Sequence, residues 1–145
     1  LNLLAKKRLY STLGRQYVLT PHLREMSRLS GKSVQEIADD MTSAVMGQQA
    51  GATIVLKDAR TLVSDGDWLY INLSGNSALS TGGSGDVLSG MIGGLLAQGC
   101  TQRTAATLAV YMHGLTAEKY CESAPPHCML ARDILEMIPK IGGNS

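Results

Sequence analysis

A glycine-rich stretch that runs into an apolar helical pattern constrains this chain more than any other feature. Residues 76–85 are mostly small and polar, and from Asp86 onward apolar side chains recur at helical spacing. These apolar residues are Val87, Leu88, Met91, Ile92, Leu95 and Leu96. A glycine loop at a helix start exposes unpaired backbone N–H groups at the positive end of the helix dipole. The stretch therefore predicts a helix from Asp86 and a seat for an anion, such as phosphate, in front of it.

Asp86 is open to two interpretations from this pattern. Its carboxylate could simply cap the helix, or it could lie beside a bound phosphate and accept the proton of an attacking hydroxyl. The loop is neither of the two commonest phosphate motifs, because it lacks Gly-Lys-Ser/Thr and has Leu88 where the dinucleotide fingerprint needs glycine. Its small side chains would nevertheless let a ligand touch the backbone.

Composition disfavours several classes of function. The 145 residues, of which 44% are hydrophobic, suffice for one domain with a buried core. The formal net charge is +1 and no basic stripe is present, so nucleic acid and anionic membrane are poor candidate partners. No apolar stretch approaches the ~20 residues of a membrane span, and no signal-peptide pattern opens the sequence. We therefore expect a cytoplasmic protein.

The cysteines indicate neither disulfides nor a metal centre. Cys100, Cys121 and Cys128 are odd in number and include no Cys-x-x-Cys pair, which suits reduced thiols. His113 and His127 lie near two of them in sequence, but the spacing fits no structural zinc pattern. We expect no zinc site from these residues.

Strand and helix patterns alternate along the chain, which predicts an α/β fold with a largely parallel sheet flanked by helices. The helical patterns before the glycine loop cover residues 1–14 and 33–51, the second opening with a capping box. The strand patterns cover residues 17–20 and 53–57, and a β-hairpin is predicted about an Asp-Gly turn at residues 65–67.

The helices after the loop raise two further expectations. Gly90, Gly93 and Gly94 each cost about 1 kcal/mol relative to alanine inside a helix, which predicts that another element approaches that face closely. A further helix over residues 101–120 carries His113 near its middle. We interpret His113 as a packing histidine, or one whose tautomer a hydrogen bond fixes, rather than as a ligand-binding residue.

Two polar residues stand where predicted strands end. His22 could be a turn histidine that hydrogen-bonds the next helix, or it could contact a ligand. Lys57 could reach solvent or contact a phosphate. Because ligands of open α/β sheets bind at the carboxyl ends of the strands, we expect His22, Lys57 and the glycine loop at one rim of the sheet.

The run Thr81-Gly82-Gly83-Ser84-Gly85-Asp86-Val87-Leu88 resembles the Gly-x-Gly-Asp signature of ribokinase-like enzymes. Within that superfamily the chain is similar to the ADP- or ATP-dependent NAD(P)H-hydrate dehydratases. The supporting runs, which span nearly the whole chain, are Leu3-Leu4-Ala5, Leu19-Thr20-Pro21-His22 with Glu25, residues 55–61, and Tyr111-Met112-His113-Gly114. Since a whole domain of this family is nearly twice as long, the resemblance implies that residues 1–145 are the C-terminal portion of a single ribokinase-like domain.

The resemblance also implies roles for individual residues. Asp86 would be the catalytic base and, with His22, would contact the hydrated nicotinamide nucleotide. The residues expected to bind the adenine nucleotide are Lys57, Asp58, Ala59, Arg60, Thr61, Gly83, Ser84 and Gly85.

The chain departs from the family pattern at two places. Leu23 and Arg24 follow His22 where family members usually carry proline and glycine, which would alter the local turn. Asp58 replaces the usual glycine after Lys57 and brings a negative charge into a phosphate-binding segment, which would weaken nucleotide affinity.

The activity implied by the resemblance is repair of hydrated NADH or NADPH. ADP, preferred here over ATP, would phosphorylate the ring hydroxyl, and elimination would restore the dihydronicotinamide and release AMP and phosphate. Mg²⁺ is the expected cofactor, and the family is commonly homo-oligomeric. Two alternatives remain open: a ribokinase-like kinase of a small alcohol such as a vitamin precursor, and an inactive nucleotide-binding fragment.

Overall fold

The computed structural model describes residues 1–7, 9–47 and 51–142. The chain folds as two compact units, Leu1–Ile71 and Asn72–Ser145. The four-stranded sheet lies in the first unit, and the helix that follows the glycine loop lies in the second.

The first unit is built on a four-stranded sheet. Its strands, in their order across the sheet, are β1 (Val18–Leu19), β2 (Thr53–Leu56), β3 (Leu62–Ser64) and β4 (Leu69–Ile71). β1 and β2 run parallel, with Val18 opposite Thr53, whereas the pairings of β2 with β3 and of β3 with β4 are antiparallel. The predicted hairpin is confirmed, since Val63 pairs with Tyr70 and Gly66 takes a positive φ of 94° in the turn.

The α/β class is confirmed, but the sheet is mixed, so the expectation of a largely parallel sheet was wrong. The lengths of the connections explain the difference. Residues 57–61 join β2 to β3, and residues 65–68 join β3 to β4. Links this short can only reverse the chain, because a parallel crossover needs a dozen or more residues. The longer connection between β1 and β2 carries helices and yields the parallel pair.

The helices of the first unit are α1 (Asn2–Lys6), α2 (Leu23–Ser30), α3 (Val34–Asp39) and α4 (Met41–Met46). The segment predicted as one helix over residues 33–51 thus forms two helices, α3 and α4. Residues 48–50 of that segment lie outside the described residues. Asp40 breaks it with φ −144° and ψ 75°, and its carboxylate accepts a hydrogen bond from the Ser43 N–H to cap α4. The capping box predicted at Ser33 is confirmed at the start of α3.

The first predicted helix is also shorter than expected. α1 ends at Lys6, and a 3-10 turn at Tyr10–Thr12 follows it, while Arg8 lies outside the described residues. The core of this unit is apolar and draws on the sheet and its helices. Its members are Tyr10, Leu19, Met26, Leu29, Ile37, Ala44, Val45, Ala52, Ile54, Leu56 and Leu62. β2 is buried along its whole length, as its continuous apolar run predicted.

The second unit is helical. It contains α5 (Ser84–Ala97), α6 (Gln102–Cys121) and α7 (Ala131–Met137), with 3-10 turns at Ser77–Ser80, Pro126–Cys128 and Ile138–Lys140. A small buried cluster comprises Ala78, Ala117, Met129 and Ile134. Within the described parts of the chain, no helix combines the length and the apolar character needed to cross a membrane.

Close approach of a neighbour occurs at a different glycine from those predicted. A Cβ built on Gly90, Gly93 or Gly94 of α5 meets no atom of the described residues within 4 Å, apart from its chain neighbours and the backbone of its own helix, so that expectation was wrong. A Cβ on Gly114 of α6 would instead lie 2.6 Å from the carbonyl carbon and 2.7 Å from the carbonyl oxygen of Ser74. The Ser74 segment therefore lies directly on α6.

Candidate functional site

His22 lies where β1 gives way to α2, and it caps that helix. Its Nδ1 accepts a hydrogen bond from the Glu25 N–H at 3.2 Å, while Glu25 Oε2 accepts one from the His22 N–H at 3.0 Å. This reciprocal pair is a capping box. The hydrogen bond from the next helix that was predicted for a turn histidine is therefore present at His22. Because 51% of the imidazole stays exposed, one side of the ring also remains accessible to a ligand.

The substitutions after His22 do not disturb this turn. Leu23 and Arg24 are the first two residues of α2, where the backbone is ordinary helix. Proline is favoured at the first helical position because that N–H needs no intrahelical partner, and leucine also fits there. The conformational freedom of glycine is not needed at Arg24. The backbone after His22 therefore accommodates Leu23 and Arg24 without needing proline or glycine.

Lys57 lies beside His22 at the carboxyl end of β2. The two residues form a parallel bridge that extends the pairing of β1 with β2, and the Lys57 N–H donates to the Pro21 carbonyl oxygen at 2.8 Å. The meeting of His22 and Lys57 at one edge of the sheet, predicted from the sequence, is confirmed. The rest of the predicted nucleotide segment follows in the connection to β3.

That connection carries two cations and one anion. Asp58, Ala59 and Arg60 are exposed, whereas Lys57 and Thr61 are partly buried. Among the described residues, none forms an ion pair with Lys57 or Arg60. Two cations without carboxylate partners suit an anionic ligand, and Asp58 offsets part of their charge.

The helix after the glycine loop, α5, begins at Ser84, two residues before the predicted start at Asp86. Gly83 precedes the helix in the left-handed conformation, with φ 86° and ψ −11°, and no side chain of the described residues caps the helix. This conformation strains residues other than glycine. Asp86 is the third residue of α5, and its backbone N–H donates to the Gly83 carbonyl oxygen at 3.1 Å. The interpretation of Asp86 as a plain helix cap was therefore wrong.

The first turn of α5 has the features of an anion seat. The Ser84 N–H donates to the Thr81 carbonyl oxygen at 3.3 Å, but the N–H groups of Gly83 and Gly85 find no acceptor among the described residues. The Asp86 carboxylate is exposed, and no residue that the structure describes pairs with it. Two open donors thus stand beside an open carboxylate at the positive end of the helix dipole.

Ser84 points inward and contacts His113 of α6. His113 Nε2 lies 3.1 Å from the Ser84 carbonyl oxygen and 3.2 Å from Ser84 Oγ, and both residues are buried. His113 is therefore a hydrogen-bonded interior histidine, as the sequence indicated. Its partner could not be predicted, because 29 residues separate the two; the only hint was the resemblance run at residues 111–114.

A cavity of about 500 Å³ opens next to the loop within the second unit. Its lining residues are Ser77, Ala78, Ser80, Thr81, Pro126, His127 and Met129. The volume falls within the range of small-molecule pockets. Sequence reasoning missed this cavity because its walls come from two segments far apart in the chain. No group of three or more His, Cys, Asp or Glu side chains among the described residues is placed to hold a metal ion.

Titration in this protein is shaped mainly by burial and helix caps. Burial raises the pKa of Tyr10 to about 12. Hydrogen bonds from Ser33 lower the pKa of Glu36, and those from Ser43 lower the pKa of Asp40. Desolvation, followed by the charges of Asp133, Cys128 and Cys121, raises the pKa of Tyr120.

Comparison with known proteins assigns the family. A family model described as NAD(P)H-hydrate dehydratase matches residues 1–140. The chain belongs to this family. It is 48% identical over 110 residues to the ADP-dependent (S)-NAD(P)H-hydrate dehydratase of Neisseria meningitidis, which covers 74% of the chain and 37% of that relative.

Solved structures of NAD(P)H-hydrate dehydratase relatives agree with the fold. The ADP/ATP-dependent enzyme of Bacillus subtilis, co-crystallised with ATP and Mg²⁺, matches with a TM-score of 0.80 and 33% identity, covering 89% of the chain and 50% of that structure. A ribokinase-like protein of Enterococcus faecalis matches with a TM-score of 0.81 and 30% identity over 95% of the chain and 48% of its own. The ribokinase-like fold is confirmed, and the chain spans half or less of each relative's length.

Proposed function

We propose that this protein acts in the ADP-dependent dehydration of hydrated NADH and NADPH. The observation that carries the proposal is the first turn of α5. There the N–H groups of Gly83 and Gly85, which find no acceptor among the described residues, adjoin the carboxylate of Asp86, with which no described residue pairs. Membership of the NAD(P)H-hydrate dehydratase family supports this choice of substrate.

The reaction begins with transfer of the terminal phosphoryl group of ADP. The oxygen of the ring hydroxyl attacks phosphorus, the bond to the bridging oxygen breaks, and AMP leaves. Asp86 accepts the hydroxyl proton, while the N–H groups of Gly83 and Gly85 stabilise charge on the moving phosphoryl group. In the elimination that follows, the C–O bond to phosphate breaks and the neighbouring ring carbon loses a proton to solvent, which restores the double bond of the dihydronicotinamide and releases phosphate.

The sheet edge of the first unit supplies the second set of proposed contacts. Lys57 and Arg60, with Asp58, Ala59 and Thr61 of the same connection, would bind the adenine nucleotide. Lys57 and Arg60 have no ion-pair partner among the described residues, which leaves their charge for phosphate. His22, paired with Lys57 at the edge, would contact the nicotinamide nucleotide through its exposed side.

Mg²⁺ would enter with the nucleotide. This ion usually keeps several waters and binds through substrate phosphates and one or two carboxylates, and the described residues form no metal cluster of their own. The phosphates and water would therefore supply most of the ligands. When bound, the ion would neutralise phosphate charge. We also propose a cytoplasmic homo-oligomer, as expected from composition and family.

The test is an assay for regeneration of NADH from its hydrate, with ADP and ATP compared as donors. We expect turnover with ADP to exceed that with ATP. Asp86→Asn should retain ADP affinity and lose turnover by about 10³-fold or more, because the general base is removed and the N–H groups are kept. The matched control is Asp39→Asn, an exposed carboxylate at the end of α3, which should leave turnover unchanged.

The outcomes separate this function from its alternatives. A stable phosphorylated product of a small alcohol, identified by mass spectrometry, would indicate a kinase instead. A thermal shift with ADP but no NADH regeneration would indicate a nucleotide-binding protein without this activity. Full turnover in Asp86→Asn would exclude the role proposed for that carboxylate.

A further inference from the structure

His113 lies beneath the junction between the glycine loop and α5. Its Nε2 is 3.1 Å from the Ser84 carbonyl oxygen and 3.2 Å from Ser84 Oγ. His113 is 7% exposed and Ser84 only 4%. Breaking a contact between buried polar groups leaves at least one of them unsatisfied, which is costly. The contact therefore constrains where α5 can begin.

The partners of Nε2 determine where its proton lies. A carbonyl oxygen can only accept a hydrogen bond, so Nε2 of His113 must carry hydrogen and donate to Ser84. An unprotonated Nε2 at 3.1 Å would instead set two lone pairs against each other. The Ser84 hydroxyl oxygen lies close enough to share the same N–H. We therefore assign the ring hydrogen of this contact to Nε2 of His113.

The carbonyl held by His113 belongs to the peptide plane that also carries the Gly85 N–H. In a trans peptide these two groups are rigidly coupled and point in opposite directions. Fixing the Ser84 carbonyl on the buried side consequently fixes the direction of the open Gly85 N–H. Asp86 follows directly in the same turn, so its position depends on the same anchor.

We propose that His113 is a positioning residue for the anion seat. By holding the Ser84 carbonyl, it aims the Gly85 N–H outward and places the Asp86 carboxylate, without itself touching a ligand. The inference rests on the proposed function for the identity of the anion, ADP. The hydrogen bond itself is independent of that function.

The experiment compares His113→Gln with His113→Asn in the purified protein. The Gln amide nitrogen reaches about as far as Nε2 and can donate to the same carbonyl, whereas the shorter Asn amide cannot. We expect His113→Asn to accelerate hydrogen exchange at the Asp86 and Val87 amides, which both donate to the Gly83 carbonyl oxygen, and to weaken ADP binding by about 10- to 100-fold. His113→Gln should restore both to within about threefold. Tyr111→Phe, an exposed position on the same helix, is the matched control and should change neither.

Two further readouts keep the test decisive. The ¹⁵N shifts of His113 should report hydrogen on Nε2, and an unprotonated Nε2 would overturn the proposal. Equal exchange and equal ADP affinity in the Gln and Asn variants would overturn it as well. If the unsubstituted protein binds no ADP, the proposed function fails, while the ¹⁵N shifts and amide exchange still decide the role of His113. If His113→Asn does not fold, native-like exchange in His113→Gln supports the proposal and accelerated exchange overturns it.

Discussion

Replacing Gly114 by alanine tests the packing of the second unit most directly. The added methyl carbon would lie 2.6 Å from the carbonyl carbon of Ser74 and 2.7 Å from its carbonyl oxygen. These are backbone atoms of a segment held on both sides. Ser74 Oγ donates to the Tyr111 carbonyl oxygen at 2.9 Å, and the Gly75 N–H donates to Glu118 Oε1 at 2.7 Å. The segment cannot move aside without loss of these bonds.

The expected magnitude follows from two opposing effects. Overpacking of a filled site costs about 1 to 3 kcal/mol or more. Strain in the hydrogen bond from the Gly75 N–H to the charged Glu118 carboxylate adds to that cost. Alanine gains back about 1 kcal/mol of helix propensity relative to glycine. We therefore expect Gly114→Ala to lower the free energy of unfolding by about 2 kcal/mol.

The matched control is Gly93→Ala in α5. A Cβ at Gly93 meets no described atom within 4 Å, so the same substitution should raise the free energy of unfolding by up to ~1 kcal/mol. Urea unfolding followed by circular dichroism measures both variants, with the m-value checked for constancy. A Gly114→Ala protein as stable as the unsubstituted one would refute the packing argument. A destabilised Gly93→Ala would reveal a neighbour that the open face does not show.

Two predictions concern pH. Burial raises the pKa of Tyr10 from 10.0 to about 12, so this side chain ionises at a lower pH in the unfolded chain than in the folded protein. The free energy of unfolding is therefore unaffected by Tyr10 below pH ~10 and falls as the pH rises towards ~12. Tyr10→Phe should remove that part of the alkaline loss in urea unfolding, and an unchanged pH profile would contradict the prediction. Ser33→Ala should raise the lowered pKa of Glu36 part of the way towards its ordinary value, since it removes the side-chain hydrogen bond of Ser33 and keeps the one from the Ser33 N–H. Carboxyl NMR titration measures this pKa, and no shift would assign the lowering to another cause.

Features governed by neighbours in the chain were predictable. The Asp-Gly turn indicated the hairpin, because Gly66 adopts a positive φ at no steric cost within the connection at residues 65–68. Ser33 and Glu36 predicted the start of α3, because their capping box spans only four residues. The signature around Asp86 indicated the family, and the match of the family model to residues 1–140 confirmed it.

Several predictions were wrong about where a helix begins or breaks and about how the strands pair. The break at Asp40 divides a stretch whose apolar spacing reads as one helix. The start of α5 moved to Ser84 because Gly83 adopts the left-handed conformation in front of it. Likewise, the short connections after β2 and β3 make the β2–β3 and β3–β4 pairings antiparallel, so the sheet is mixed and not largely parallel as predicted.

What the sequence determined by itself, then, is the α/β class, the glycine loop ahead of a helix, and the family to which the chain belongs. Only the tertiary structure decided that a neighbouring segment packs closely against Gly114 and not against Gly93. It also decided that His113 contacts Ser84 and that a cavity opens beside the loop. The reason is physical: caps, turns and periodic patterns act over a few residues. Steric contact, buried hydrogen bonds and cavities depend on atoms that the chain brings together from distant positions.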